Sequence, residues 1–204
     1  MIYEVRTYTL TPGGVPEFEK LLGEVMPCRE KFSPLRACWH TEIGSLNQVV
    51  HVWPYKDLEE RRRIREESAR DPRWPPHASH IEVDTRSDIY LPAPFSPPLE
   101  PRKMGNIYEM RTYTYKAGSM REVLKRWEEC IPHWEKHSPL AASWYTDLGE
   151  LNLLTPIWPY ENMAERDRIR AEAVKDPHWP PHIQDLMVNM ENKILVPAKF
   201  SPLN

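Results

Sequence analysis

Glycine is scarce in this chain, at 7 of 204 residues against 22 prolines, and no glycine-rich phosphate cradle or GxSxG nucleophile turn occurs. Nucleotide-cradling and serine-hydrolase chemistry of the familiar kinds are therefore excluded. Cysteine is scarcer still. Cys28, Cys38 and Cys130 are odd in number, widely spaced and without a CxxC, which argues against a disulfide framework or a structural zinc site and for reduced intracellular thiols. There is no basic excess either: 27 Lys and Arg face 30 Asp and Glu, so neither nucleic acid nor anionic lipid is an expected partner. Long apolar runs are missing. The first ten residues, MIYEVRTYTL, already carry Glu4 and Arg6, so neither a signal peptide nor a membrane span is expected and cytoplasmic residence is the default.

What the chain does contain, it contains twice. IYEVRTYTL at 2–10 returns as IYEMRTYTY at 107–115, and the match continues in fixed register through SPL at 33 and 138, WPY at 53 and 158, DPxWPPH at 71 and 176, and PAxFSP at 92 and 197. Such self-similarity marks an internal duplication. The copies span 1–98 and 107–204, and the unrepeated LEPRKMGN at 99–106 reads as the linker.

Each copy predicts β-α-β-β-α-β. The alternating, Tyr- and Thr-rich 2–10 is a strand. Val15, Phe18, Leu22 and Val25 recur at helical spacing, with Pro27 and Pro132 expected to limit the first helix of each copy. Strands near 36–43 and 47–54 flank Gly44-Ser45, a hairpin signal repeated at Gly149-Glu150. Asp57 and Asn162, each followed three residues on by Glu60 or Glu165, have capping-box spacing for a second helix. DPxWPPH ends that helix, and 80–91 and 185–196 supply the last strands. The expected fold class is α+β: two ferredoxin-like repeats whose sheets cover each other, face to face or as a closed barrel.

YEVRTYTL and YEMRTYTY at the start of each copy, LNQVVHVWPY with the helix after it, and MENKILVPAKFSPL at the end together resemble the NIPSNAP family. The resemblance covers essentially the whole chain, twice. It implies a dimeric α+β barrel, here similar to a dimer fused into one chain. It implies little chemistry, because related barrels range from cofactor-free oxygenases and decarboxylases to haem proteins.

Candidate site residues come from the strands. Alternation places Glu4, Arg6 and Tyr8 on one face of the first strand, repeated as Glu109, Arg111 and Tyr113; if Val5 and Met110 face the helices, the polar row faces the space between the sheets. There Arg6 and Arg111 would anchor a carboxylate or carbonyl, Tyr8, Tyr113, Trp53 and Trp158 would form walls, and His51 and Glu4 would carry protons. The structural alternative is an ion-pair network joining Arg6 to Glu4 or Glu42. His51 has no counterpart in the second copy, where Pro156 stands, which singles out the first copy as the working half. His40, replaced by Tyr145, is a further catalytic candidate, and His77 and His182 in the repeated heptad are secondary ones.

Other patterns are weaker. His133 and His137 in HWEKH have helical ligand spacing but no third ligand, and His77 with His80 is not repeated, so no metal is expected. RRRIR at 61–65 is bracketed by Glu59, Glu60, Glu66 and Glu67 and reads as a solvated, ion-paired face. The expectation is a small organic ligand held in a cavity between the repeats, with cofactor-independent turnover of the oxygenase, decarboxylase or isomerase kind. The alternatives are a platform for protein partners or self-association, and a haem protein; no other cofactor is expected.

Overall fold

A computed structural model describes residues 1–204. The first repeat runs β1 (Ile2–Leu10), α1 (Val15–Arg29), β2 (Ala37–Ile43), β3 (Gln48–Tyr55), α2 (Leu58–Ser68) and β4 (Glu82–Pro92). The second runs β5 (Ile107–Tyr115), α3 (Met120–Trp134), β6 (Ala142–Leu148), β7 (Leu153–Tyr160), α4 (Met163–Ala173) and β8 (Met187–Pro197). The hairpins turn on left-handed backbone, with φ of 111° at Gly44 and 56° at Asn47, matched by 105° at Gly149 and 62° at Asn152. Asn tolerates that region where most side chains do not. At α2 and α4, Asp57 and Asn162 accept from the backbone N–H of Glu60 and Glu165, satisfying one orphan donor at each helix start. Pro27 and Pro132 do not stop their helices. Each lies inside, and α1 continues to Arg29 and α3 to Trp134, although an interior proline forfeits the hydrogen bond of its missing N–H and crowds the carbonyl four residues back.

The strands close into one barrel in the order β1-β3-β2-β8-β5-β7-β6-β4, antiparallel at every step. Each repeat thus contributes a four-stranded ferredoxin-like sheet, joined to the other along β2–β8 and β4–β6. Closure removes every sheet edge. The interior is filled by Tyr3, Val5, Trp39, Val50 and Val52 with their opposite numbers Tyr108, Met110, Trp144 and Ile157. Tyr3 packs on Trp144 at 5.2 Å between ring centroids and Trp39 on Tyr108 at 5.5 Å, a pseudo-twofold exchange.

The segment 99–106 runs over the surface but is anchored near both ends, at Leu99 and Gly105. Leu99 and Leu203 are buried among the interior residues, and Gly105 lies so close to the Tyr160 backbone that a Cβ would sit 2.6 Å from its carbonyl oxygen. The repeated PAxFSP motif also has a structural task. Ser96 accepts from the Ser143 N–H and Ser201 from the Cys38 N–H, so the tail of each repeat docks on the other repeat's sheet. The helices cover the outside of the barrel, α1 and α2 over the first sheet and α3 and α4 over the second. No helix is long and apolar enough to cross a membrane.

Candidate functional site

The polar row of β1 faces the opposite way from the sequence-based expectation. Tyr3 and Val5 point into the barrel, while Glu4, Arg6, Tyr8, His51 and Trp53 lie on the outer face, beneath α1 and α2. The packed interior takes the larger apolar set, and the charged row goes where α2 can bring it counter-charges. Glu4 Oε1 accepts from Arg61 at 2.7 Å, Ser87 at 2.7 Å, Arg6 at 3.3 Å and Arg65 at 3.4 Å. Burial alone would raise this carboxyl, but Arg61, Arg65 and Ser87 outweigh it and hold it at about 2. The RRRIR segment is therefore divided: Arg62 and Arg63 form the expected exposed pairs with Glu59, Glu66 and Glu67, while Arg61 and Arg65 turn inward.

The second repeat builds the same network. Glu109 accepts from Arg166 at 2.6 Å, Asn192 at 2.7 Å, Arg111 at 2.9 Å and Arg170 at 3.3 Å. Around this shared frame the two halves differ. In the first, a cleft of about 180 Å³ opens between sheet and helices, lined by Arg6, Tyr8, Arg29, His51, Trp53, Arg65, Ser68 and Trp74 among others. Arg29 is almost fully buried, with its Cζ 4.2 Å from the Trp53 ring and 5.6 Å from that of Trp74. In the second repeat Trp134 stands at the position of Arg29. It is fully buried, 4.4 Å from Trp158 and 4.9 Å from Trp179, and its indole fills the corresponding slot.

The His51 imidazole is almost fully buried and stacks on Tyr8 at 5.1 Å. The Trp53 indole N–H donates to its Nδ1, so the ring proton sits on Nε2, and that Nε2–H has no partner in the protein. Burial, reinforced by Arg6, pulls its pKa down to about 3. His51 is a neutral hydrogen-bond donor, not a proton shuttle working near neutrality. Pro156, its counterpart, removes a backbone donor, and the β5–β7 pairing lapses between Met110 and Tyr113.

A family model for NIPSNAP matches residues 3–97 and again 108–202. The chain belongs to the NIPSNAP family. It is 28% identical to the NipSnap homologue of Dictyostelium discoideum, covering 98% of this chain and 88% of that one, and 28% identical to human NipSnap homologue 3B, covering 98% and 85%. Among solved structures, a monooxygenase-like protein from Fusobacterium nucleatum superposes over 97% of this chain and 92% of its own with a TM-score of 0.68 at 11% identity. That likeness is one of fold alone.

Within this NIPSNAP fold the residues singled out from sequence fall into separate groups. Arg6, Tyr8, His51 and Trp53 meet at the first-repeat cleft, with Glu4 behind them. Arg111, Tyr113 and Trp158 belong to the second repeat's outer face, so no single cavity between the repeats holds both sets. The cavity that does lie between them, about 270 Å³ at the polar mouth of the barrel, is lined instead by Thr7, Thr9, Asp84, Arg86, Thr112 and Lys193 with their neighbours. Its cations are already engaged, Arg86 by Asp88 and Lys193 by Gln48, each at 2.7 Å. His40 pairs with Glu19 at 2.7 Å, which raises its pKa, and is not among the cleft residues. His77 is exposed on a shallower adjoining cleft that shares Arg6 and Tyr8, and His182 is exposed beside Arg126. His137 lies beyond the end of α3, so it shares no helix face with His133, which pairs with Asp176.

Haem does not fit the enclosed histidine: about 180 Å³ is below the ~300–1,000 Å³ that accommodates drug-sized ligands. Arg29, Arg61, Arg65 and Trp74 join the site although no sequence motif marked them for it. Arg29 carried a readable signal, since Arg29 against Trp134 is the same kind of departure between copies as His51 against Pro156.

Proposed function

We propose that this chain binds one small organic molecule, in the cleft between sheet and helices of the first repeat, and that the second repeat serves as scaffold. The observation that carries the reading is the paired replacement: Arg29 and His51 line an open cleft in one half, where Trp134 and Pro156 stand in the other. Arg6 and Arg29 supply charge, His51 Nε2–H a directed hydrogen bond, and Trp53 and Trp74 the apolar walls. The second-repeat residues Arg111, Tyr113 and Trp158 are structural in this reading, and so are His40, His77 and His182.

Binding is better supported than acid–base turnover. Glu4 is held at about 2 and His51 at about 3, far from the neutral range in which a general base works well. Cofactor-independent turnover is confined to substrates whose carbonyl oxygen meets His51 Nε2, where a neutral imidazole stabilises developing negative charge. The decisive variant is Arg29→Trp, which imports the second repeat's own plug. A fragment screen by saturation-transfer NMR should give hits on the unmodified chain that vanish on the folded variant; hits indifferent to it, or no hits, would refute the single-cleft reading.

A second reading, self-association, is favoured by matched apolar residues exposed at the hairpin ends, Ile43 and Leu46 in one repeat and Leu148 and Leu151 in the other. Sedimentation should then show an oligomer that Leu46→Lys with Leu151→Lys dissociates.

A further inference from the structure

The charges around the first-repeat cleft are unbalanced, and the imbalance indicates the class of ligand. Resting on the single-cleft reading above, we infer that the site takes a small carboxylate, held by the guanidinium of Arg29 and the Nε2–H of His51 beside the apolar wall of Trp53 and Trp74.

Four guanidiniums, those of Arg6, Arg29, Arg61 and Arg65, gather here against two carboxylates: Glu4, which pairs with three of them, and Glu82, which lines the adjoining cleft with Arg6. Glu4 Oε1 is shared among Arg6, Arg61 and Arg65, and Glu4 is not itself among the residues lining the cleft. Arg29 has no acidic partner. Its hydrogen bonds go to neutral oxygens, the Tyr55 hydroxyl at 3.0 Å and the Ser33 carbonyl at 3.4 Å, although it is only 2% exposed. A buried cation without a counter-ion is costly, and an anionic ligand relieves that cost. The second repeat has no such surplus at this position, because Trp134 has replaced the arginine.

The unpartnered donor points the same way. A buried N–H that finds no acceptor in the protein forfeits a hydrogen bond, and His51, whose Nε2 is such a donor, is among the residues lining the cleft. It offers a proton and, with Nδ1 occupied by Trp53, no free lone pair, so it selects an acceptor. Trp53 and Trp74 meet edge to face with 6.3 Å between centroids, as Trp158 and Trp179 do at 6.0 Å, and the first pair lines the cleft as its apolar wall. Arg–carboxylate contacts are planar and two-pronged, which suits a carboxylate.

The test uses benzoate, its neutral counterpart benzamide, and inorganic phosphate, titrated by calorimetry into the unmodified chain and Arg29→Met. Benzoate should bind the unmodified chain at least about tenfold more tightly than benzamide, the range of a charge-assisted bond to a buried group. Phosphate should compete poorly. In Arg29→Met the preference for benzoate over benzamide should collapse, and the His51 ring ¹⁵N shifts should respond to benzoate only in the unmodified chain. Equal affinity for benzoate and benzamide would overturn the anion assignment while leaving the cleft reading standing. Competition by phosphate as strong as by benzoate would overturn the carboxylate, and an undiminished preference in Arg29→Met would remove Arg29 from the site. If neither benzoate nor benzamide binds while cleft-dependent fragment hits persist, the ligand class fails; if those hits are absent too, the single-cleft reading fails with it. Should Arg29→Met not fold, the comparison of benzoate with benzamide on the unmodified chain decides alone, supported by His51→Leu, which should bind benzoate about tenfold more weakly.

Discussion

Acidification from about pH 7 to about pH 4.5 should cost the unmodified chain about 2–3 kcal/mol more stability than it costs a His51→Leu variant. The magnitude follows from the burial of the imidazole. Its pKa is about 3 in the fold against an ordinary 6.5, so the folded pKa is depressed and the unfolded chain takes up the proton first. Stability from this group is complete above 6.5, falls as the pH drops through 6.5, and levels off near 3. At about pH 4.5 the unfolded histidine is charged while the folded one is neutral, and two pH units below the unfolded value correspond to about 2–3 kcal/mol, of which only a small part is already present near pH 7. Urea unfolding followed by tryptophan fluorescence, on both chains at both pH values, isolates the term. Loss of the Trp53–His51 hydrogen bond and the titration of Glu4 contribute equally at each pH or to both chains, and they cancel in the double difference. A double difference below about 0.5 kcal/mol would show that the folded imidazole protonates freely, and the picture of an enclosed neutral donor would fall.

Three further outcomes test the frame around the cleft. Glu109→Gln should destabilise the chain by about 3–5 kcal/mol in urea, because Arg111, Arg166 and Arg170 would lose their one buried counter-charge. Asp57→Ala and Asn162→Ala should each cost about 1 kcal/mol, and their effects should add in the double variant since the caps serve different repeats. Gly105→Ala should cost about 1–3 kcal/mol and lower the thermal midpoint, since the new methyl meets the Tyr160 backbone and not a movable side chain.

The architecture was legible because the duplication states it. A chain written twice, with strand and helix signals in ferredoxin-like order, has two sheets that must cover each other. The direction of β1 was not legible, for a physical reason. Both of its faces are covered, one by the barrel interior and one by helices, and each row mixes ring, charge and hydroxyl: Tyr3, Val5 and Thr7 against Glu4, Arg6 and Tyr8. A period of two sorts residues onto faces but does not say which face looks inward. The information that resolves it lies elsewhere, in Arg61 and Arg65. They are four apart and so share one face of α2, set to meet a carboxylate beneath the helix. The extent of α1 was hidden for a similar reason. A proline near a helix end reads as a stop, yet α1 carries through Pro27 to Arg29, and the residue that distinguishes the two halves sits just beyond that apparent boundary.

The shared and unshared residues answer different demands, and the repeated heptad shows how they meet. Trp74 and Trp179 occupy equivalent corners, yet Trp179 packs on the Trp134 plug while Trp74 is left as one wall of a cleft beside Arg29. The heptad therefore builds the slot in both repeats without deciding its contents. The same holds for Glu4 and Glu109, which draw three arginines apiece in a half with a cleft and in a half without one. A group required equally by a filled slot and an open one supports the wall. What differs between the filled and the open slot is the exchange of Trp134 and Pro156 for Arg29 and His51, which removes an indole from the slot and leaves a cation without a counter-ion and a donor without an acceptor. Either replacement alone would yield a smaller gain: an arginine without the histidine offers charge without a directed second contact, and a histidine beneath a tryptophan plug has no guest to meet. Restoring the plug at position 29 should accordingly silence His51 as a ligand contact even though the imidazole itself is unchanged.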